Sequence, residues 1–258
     1  KSLYYLEKFT SRSLFVLSNK FCCIIIKIQI NDEKRWLLMN KGSILKRFLY
    51  LLLAFLILII IQGPTIYLGV KDASLVSLLV FLLLLKSAGA LFLGKRLGLL
   101  EGFKTLSSLK AWGMIGLTYL GIYIVTRIGA MVMMMEGVSN STNQATIENI
   151  HMNPFVLITF TVIMAPIVEE LVFRGILMGR VFNPDSIVGL ILSSLLFGLA
   201  HMPNSIGVWI IYAGMGFVLG TVYRKCQKLE YCIMAHMINN SIAVSMMLLL
   251  QLLAPYIK

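Results

Sequence analysis

The sequence predicts an all-α fold, a polytopic bundle of about seven or eight transmembrane helices with a polar cavity inside the membrane. Three observations support this prediction. Of the 258 residues, 59% are hydrophobic and only 13% are charged, a composition outside the range of soluble domains. Apolar runs of about 20 residues recur along the chain with short connections. Several ionisable residues lie inside these runs, where they are costly to place and therefore indicate a functional site.

Apolar runs locate the predicted helices in order along the chain. A helix crosses a hydrocarbon core of about 30 Å with roughly 20 residues at 1.5 Å each, which is close to the length of most of these runs. The spans are predicted at residues 48–70, 73–93, 111–134, 154–180, 186–201, 207–223 and 231–254. A basic pair, Lys46 and Arg47, precedes the first of them.

The distribution of basic residues predicts the orientation of the bundle. The 94–110 connection holds four Lys or Arg residues and the 224–228 connection holds three, whereas the 135–153 connection holds two Glu residues and no Lys or Arg. Basic connections stay on the cytoplasmic side, so the amino terminus is predicted to be cytoplasmic. The net charge of +12 is accounted for in this way and does not indicate a nucleic-acid partner.

The first 38 residues differ from the rest of the chain because they follow no clear helical period. From Met39 onward, a short basic leader precedes a long apolar run, as in a natural bacterial start. We therefore predict that residues 1–38 are an upstream extension or non-native leader, and that residues 39–258 form a single transmembrane domain. Small size and short loops favour a bacterial cytoplasmic membrane.

Polar residues inside the later apolar runs form three short clusters. Within each cluster the spacing of four residues places two side chains on one helix face. Glu169 is turned by about 100° from Glu170, so one carboxylate can face a cavity while the other pairs with Arg174. The clusters are Glu169, Glu170 and Arg174; Phe197 and His201; and His236 and Asn240.

The depth of these clusters in the membrane indicates that they can meet. Counting 1.5 Å per residue from rough inner-surface anchors at Arg180, Ser186 and Lys228 places the polar groups about 12 to 22 Å deep. Glutamate in a partly dry pocket near histidine is a reasonable general base for water. The three clusters are therefore predicted to form one site.

The three clusters, EExxxR at Glu169, FxxxH at Phe197 and HxxxN at His236, resemble in sequence order the CPBP family of intramembrane proteases. That family includes the Ras-converting CAAX endopeptidase and the bacterial bacteriocin-processing or Abi proteins. The resemblance covers about residues 150–245, and every motif position carries the family's residue.

The resemblance implies a glutamate-type intramembrane endopeptidase that uses no metal or other cofactor. In that pattern Glu169 is the general base for the attacking water, and His201 holds the water. His236 and Asn240 stabilise the tetrahedral oxyanion. The implied substrates are membrane-associated peptides or proteins, such as bacteriocin leaders, pheromone precursors or CAAX proteins, and the oligomeric state stays undetermined.

Structural interpretations stay open for individual residues. Glu170 and Arg174 support the site in the family pattern, but taken alone the two residues favour a structural ion pair. A single membrane histidine often forms a helix-to-helix hydrogen bond. Phe197 is interpreted as packing. Lys86 and Arg127, which also lie inside apolar runs, are interpreted as snorkelling or locally paired cations.

Three alternative functions also stay open. Two histidines and a glutamate are half of a zinc site, so a zinc metalloprotease is the nearest competing enzyme, although no HExxH motif occurs. A non-catalytic membrane scaffold or bacteriocin self-immunity protein would not need the catalytic groups. A transporter is a third alternative, but the paired, Gly- or Pro-broken halves typical of transporters are not evident.

Overall fold

The computed structural model describes residues 43–62, 69–150, 152–253 and 256, and all regular structure within these ranges is helical. The all-α prediction is therefore confirmed. Residues 1–38, the predicted start at Met39 and positions 63–68 of the first predicted span lie outside the described residues. Contacts divide the chain into residues 1–47 and 48–258, and the site described below belongs entirely to the second unit.

The helices follow the order of the predicted spans. The first continues as a π-helix over Leu58–Gln62, and a short 3₁₀ turn at Phe103–Ser107 precedes the third. Their bounds are α1 Ser43–Ile57, α2 Ala73–Arg96, α3 Leu109–Met135, α4 Thr142–Ile150, α5 Pro154–Val181, α6 Ile187–Ala200, α7 Ile206–Cys226 and α8 Leu229–Leu253.

Five helices of the described ranges are long and apolar enough to cross a membrane: α2, α3, α5, α7 and α8. Helix α6 has 14 residues, fewer than the predicted span 186–201 and fewer than the roughly 20 needed to cross. It begins after Ser186, whose hydroxyl accepts a hydrogen bond from Gly189 N at 2.8 Å. Its other end therefore lies about 21 Å further along the helix axis.

Helix α5 is the central helix of the bundle. In its most apolar 18-residue window, 67% of the residues are buried, against 22% for each of α2, α3 and α8. Its backbone alternates between α-helical and π-helical turns, with π-helix at Ile158–Met164 and Leu171–Val181. A π-turn widens the helix and redirects the side chains that follow, and such turns are frequent at functional sites.

Glycines allow α7 to approach its two neighbours closely. A Cβ added at Gly207 would lie 2.6 Å from the carbonyl oxygen of Gly129 on α3, and one at Gly216 would lie 3.0 Å from Cα of Ser194 on α6. In lipid the hydrophobic effect does not drive helices together. Small residues let two helices approach closely, and the resulting van der Waals contacts stabilise the pair. Helix α6, and with it His201, is therefore held firmly against α7.

Candidate active site

Two adjacent glutamates on α5 lie at the centre of the bundle. Glu169 is 9% exposed and Glu170 is fully buried. Glu170 Oε1 accepts a hydrogen bond from Arg174 Nη1 at 2.8 Å and another from His236 Nδ1 at 2.9 Å. Glu170 thus orients Arg174 and His236, whereas the Glu169 carboxylate has a different direction.

Arg174 is fully buried, and its charge is compensated on three sides. Besides the bond to Glu170, its Nη2 donates to the carbonyl oxygen of Gly216 on α7 at 3.0 Å. Its guanidinium lies 4.4 Å from the ring centroid of Phe197, a cation–π contact. A buried cation is tolerated only with such partners, so Arg174 ties together α5, α6 and α7.

Glu169 faces both histidines of the predicted motifs at almost equal distances. Its Oε2 lies 3.9 Å from His201 Nε2 and 3.8 Å from His236 Nε2. Both separations are too long for a direct hydrogen bond, but one water molecule can bridge groups at such distances. One carboxylate oxygen and two ring nitrogens are therefore directed toward each other.

The hydrogen bonds of the two Nδ1 atoms give the histidines different properties. His201 Nδ1 lies 2.8 Å from the carbonyl oxygen of Phe197, and because a carbonyl only accepts, this nitrogen carries the hydrogen. In the neutral ring, Nε2 is then an acceptor. His236 Nδ1 instead donates to the Glu170 carboxylate, so the two rings have different partners.

Asn240 lies one turn beyond His236 on α8 and is oriented by α5. Its Nδ2 donates to the carbonyl oxygen of Thr161 at 2.9 Å. In the π-helical pattern of this segment, Ala165 N bonds to Phe160 O, five residues back, so Thr161 O would next pair with residue 166. Residue 166 is proline and has no N–H, which leaves that carbonyl oxygen for Asn240.

The structure thus brings together the residues of all three predicted clusters around one interior region. Glu169, His201 and His236 face each other, and Glu170 and Arg174 form the ion pair that the spacing predicted. Asn240 shares the helix of His236 and reaches α5. The catalytic roles of these residues stay predictions.

Three contributors to the site were not identified from the sequence. The ring of Tyr212 on α7 stacks on His201 with centroids 4.1 Å apart, and the carbonyl oxygens of Gly216 and Thr161 accept from Arg174 and Asn240. Pro166, three residues before Glu169 in the middle of a predicted span, is the one sequence signal for an available carbonyl in α5. Contacts between separate helices leave no comparable signal.

The geometry of the site also bears on the zinc alternative. Among the residues that the structure describes, no group of three His, Cys, Asp or Glu side chains has an arrangement suited to hold a metal ion. Glu169, His201 and His236 come closest in type, since a carboxylate and two imidazoles are common zinc ligands.

Comparison with known proteins finds similarity over the motif region. Residues 151–242 match the family model described as type II CAAX prenyl endopeptidase Rce1-like. The chain is 30% identical over 145 residues to the membrane-embedded CAAX protease MroQ of Staphylococcus aureus (strain USA300), covering 54% of this chain and 58% of that protein. It is 30% identical over 114 residues to the membrane peptidase YdiL of Bacillus subtilis (strain 168), covering 43% of this chain and 45% of that protein.

These matches confirm the resemblance that the three motifs predicted. The chain spans about half the length of these two curated relatives. No solved structure matches the chain.

Proposed function

We propose that this chain is an intramembrane endopeptidase of the CPBP family in which Glu169 activates water, as its similarity to CAAX-type membrane proteases supports. One observation carries the proposal. Glu169 Oε2, in the buried interior of the bundle, faces the Nε2 atoms of His201 and His236 at 3.9 and 3.8 Å. A carboxylate and a ring acceptor at this separation suit one water molecule between them.

The proposed reaction begins with that water. It donates one hydrogen bond to Glu169 and the other to His201 Nε2, so that a lone pair of its oxygen faces the scissile carbonyl carbon. As the new C–O bond forms, Glu169 takes the proton. It then gives the proton to the leaving nitrogen while the C–N bond breaks, which releases an amine and a carboxylic acid.

His236 and Asn240 are proposed to stabilise the tetrahedral oxyanion. In this role His236 donates from Nδ1 to the Glu170 carboxylate and from Nε2 to the oxyanion. One N–H of Asn240 is used by Thr161, and its Oδ1 accepts from Asn239 at 3.2 Å. These two bonds fix the amide and leave its second N–H for the oxyanion. Each such donor is worth about 10²- to 10³-fold in well-studied hydrolases.

The proposed substrates are membrane-associated peptides or proteins. The relatives' names favour CAAX-type cleavage, and bacteriocin leaders or pheromone precursors are equally suited to a site below the lipid surface. We place the protein in a bacterial cytoplasmic membrane with its amino terminus in the cytoplasm. No cofactor is needed for the proposed reaction.

The test compares purified wild-type protein with Glu169→Gln on a library of membrane-anchored peptides in detergent. We expect cleavage by the wild type and its loss in the variant. Equal cleavage by both proteins would remove Glu169 as the base. Activity that is abolished by a chelator and restored by zinc would favour the metalloprotease, and a cellular phenotype that survives Glu169→Ala would favour the scaffold.

A further inference from the structure

His201 occupies an unusual position because its helix ends at that residue. Helix α6 stops at Ala200, and His201 has φ −92° and ψ 12°, outside the helical geometry. The next residue, Met202, has φ 48°, so the chain turns away at once. A side chain in the middle of a helix is packed against the turns on either side, but the imidazole of His201 has a turn on one side only.

The hydrogen bond from His201 Nδ1 to Phe197 O does not by itself fix the imidazole ring. One hydrogen bond fixes the distance from Nδ1 to the carbonyl oxygen, but the side chain has two torsions, and a combined rotation about both is still allowed. Such a rotation moves Nε2, on the far side of the ring, away from Glu169. A further contact must therefore define the plane of the ring.

Tyr212 supplies that contact from a different helix. Its ring lies nearly parallel to that of His201, with an interplanar angle of 15° and centroids 4.1 Å apart. Phe197 contacts the imidazole as well, with centroids 4.7 Å apart and a tilt of 41°. Tyr212 comes this close because α6 and α7 cross tightly: a Cβ at Gly198 would lie 2.9 Å from Cβ of Ala213, the residue after Tyr212.

We propose that Tyr212 is a positioning residue of the active site, whose ring holds the His201 imidazole in the plane that directs Nε2 toward Glu169. This inference rests on the proposed function, because the orientation matters for hydrolysis only if His201 holds the attacking water. The stacking itself is a property of the two rings. It can therefore be measured without any substrate.

The first experiment uses nuclear magnetic resonance of the full chain in detergent micelles, with ¹⁵N-labelled histidine. The sequence contains only three histidines, so the spectrum is simple, and a His201→Gln variant assigns the signals. We expect one His201 tautomer, with hydrogen on Nδ1, in the wild type and in Tyr212→Phe. In Tyr212→Leu we expect averaged tautomers and loss of the ring-current shift on His201.

The second experiment measures peptide cleavage by the same variants. We expect kcat of Tyr212→Leu to fall by about 10²-fold with little change in KM, since small misplacements of a catalytic group have effects of this size. Tyr212→Phe keeps the stacked ring and is expected to restore most of the activity. Tyr123→Leu removes an exposed tyrosine of α3 and is the matched control for lost aromatic surface.

Two results would overturn the inference. One is an unchanged His201 spectrum in Tyr212→Leu. The other is an unchanged kcat in Tyr212→Leu under conditions in which Glu169→Gln has lost activity. The failure of the proposed function is a different result, namely equal cleavage by wild type and Glu169→Gln.

Discussion

Helices α2 and α5 are almost equally apolar, yet they occupy opposite environments. Their most apolar windows have mean hydropathies of 2.3 and 2.1, but 22% of the first is buried against 67% of the second. Hydropathy therefore identifies both helices as spans without distinguishing a lipid-facing helix from a central one. The distinction lies in the polar residues that each helix carries.

The polar residues of the two helices are used differently. The cation in the middle of α2, Lys86, is half-buried, where its long stem can reach toward the membrane surface. Helix α5 carries Glu169, Glu170 and Arg174, all at most 9% exposed. Ionisable groups this deep are retained only with partners from other helices, and here those partners form the proposed active site.

The largest expected difference between the two helices concerns catalysis. We expect Glu169→Gln on α5 to lower kcat by about 10²- to 10⁴-fold, because the amide keeps the shape of the side chain but cannot accept the proton. Lys86→Gln on α2 is the matched control and should leave kcat within twofold, roughly the scatter of such assays. Cleavage rates in detergent check both variants. A similar loss of kcat in both would show that the polar residues of α5 and α2 do not differ in their role in catalysis.

The second difference concerns stability. Arg174→Met leaves the Glu170 carboxylate buried without its cation, so we expect the free energy of unfolding to fall by about 3–5 kcal/mol. Arg127→Met on the peripheral helix α3 removes an exposed cation that lies 5.4 Å from the ring centroid of Tyr123, and we expect a loss of at most about 1 kcal/mol. Reversible unfolding in mixed micelles measures both values. An equal loss in both variants would show that burial in α5 has no special energetic role.

The contact between α8 and α5 gives the third test. Asn240→Leu removes a proposed oxyanion donor and leaves Thr161 O without its partner, so we expect kcat to fall by about 10²- to 10³-fold. Ser245→Ala, at an exposed position on the same helix, serves as the control. A variant Asn240→Leu with normal kcat would assign Asn240 to structure alone.

The smallest expected effect lies outside the membrane-spanning segments, at the end of α3. Backbone N–H groups of Gly207 and Ile206 donate to the Glu136 carboxylate, both at 3.0 Å, and hold the pKa of Glu136 below its ordinary value of 4.5. The charged form thus stabilises the fold above pH 4.5, and this contribution is lost as the pH falls further. Glu136→Gln should remove that part of the acid dependence of the melting temperature.

Much of this organisation could be predicted from the sequence. Apolar runs located the helices, and the four-residue spacing predicted the Glu170–Arg174 pair and the different orientation of Glu169. These predictions succeed because the period of one helix determines which of its own residues share a face. The span predicted at residues 186–201 corresponds to α6, whose bounds lie one residue inside that prediction at each end.

Contacts between helices could not be predicted in the same way. The stacking of Tyr212 on His201 and the bond from Asn240 to Thr161 depend on how α6, α7 and α8 pack, and on π-turns in α5. The residues of each contact lie on different helices, so their separation in the sequence follows no helical period. Pro166 is a sequence signal for an unpaired carbonyl in α5, but it does not indicate which side chain binds that carbonyl.

A single-turnover reaction in H₂¹⁸O, with the protein in excess over a cleaved library peptide, tests the central claim most directly. If Glu169 activates water that attacks the peptide carbonyl, the product carboxylate contains ¹⁸O in the first turnover, and mass spectrometry of the α5 peptide finds none in Glu169. A first-turnover product without ¹⁸O, together with ¹⁸O in the Glu169 carboxylate, would instead show that Glu169 attacks the substrate itself and would contradict the account.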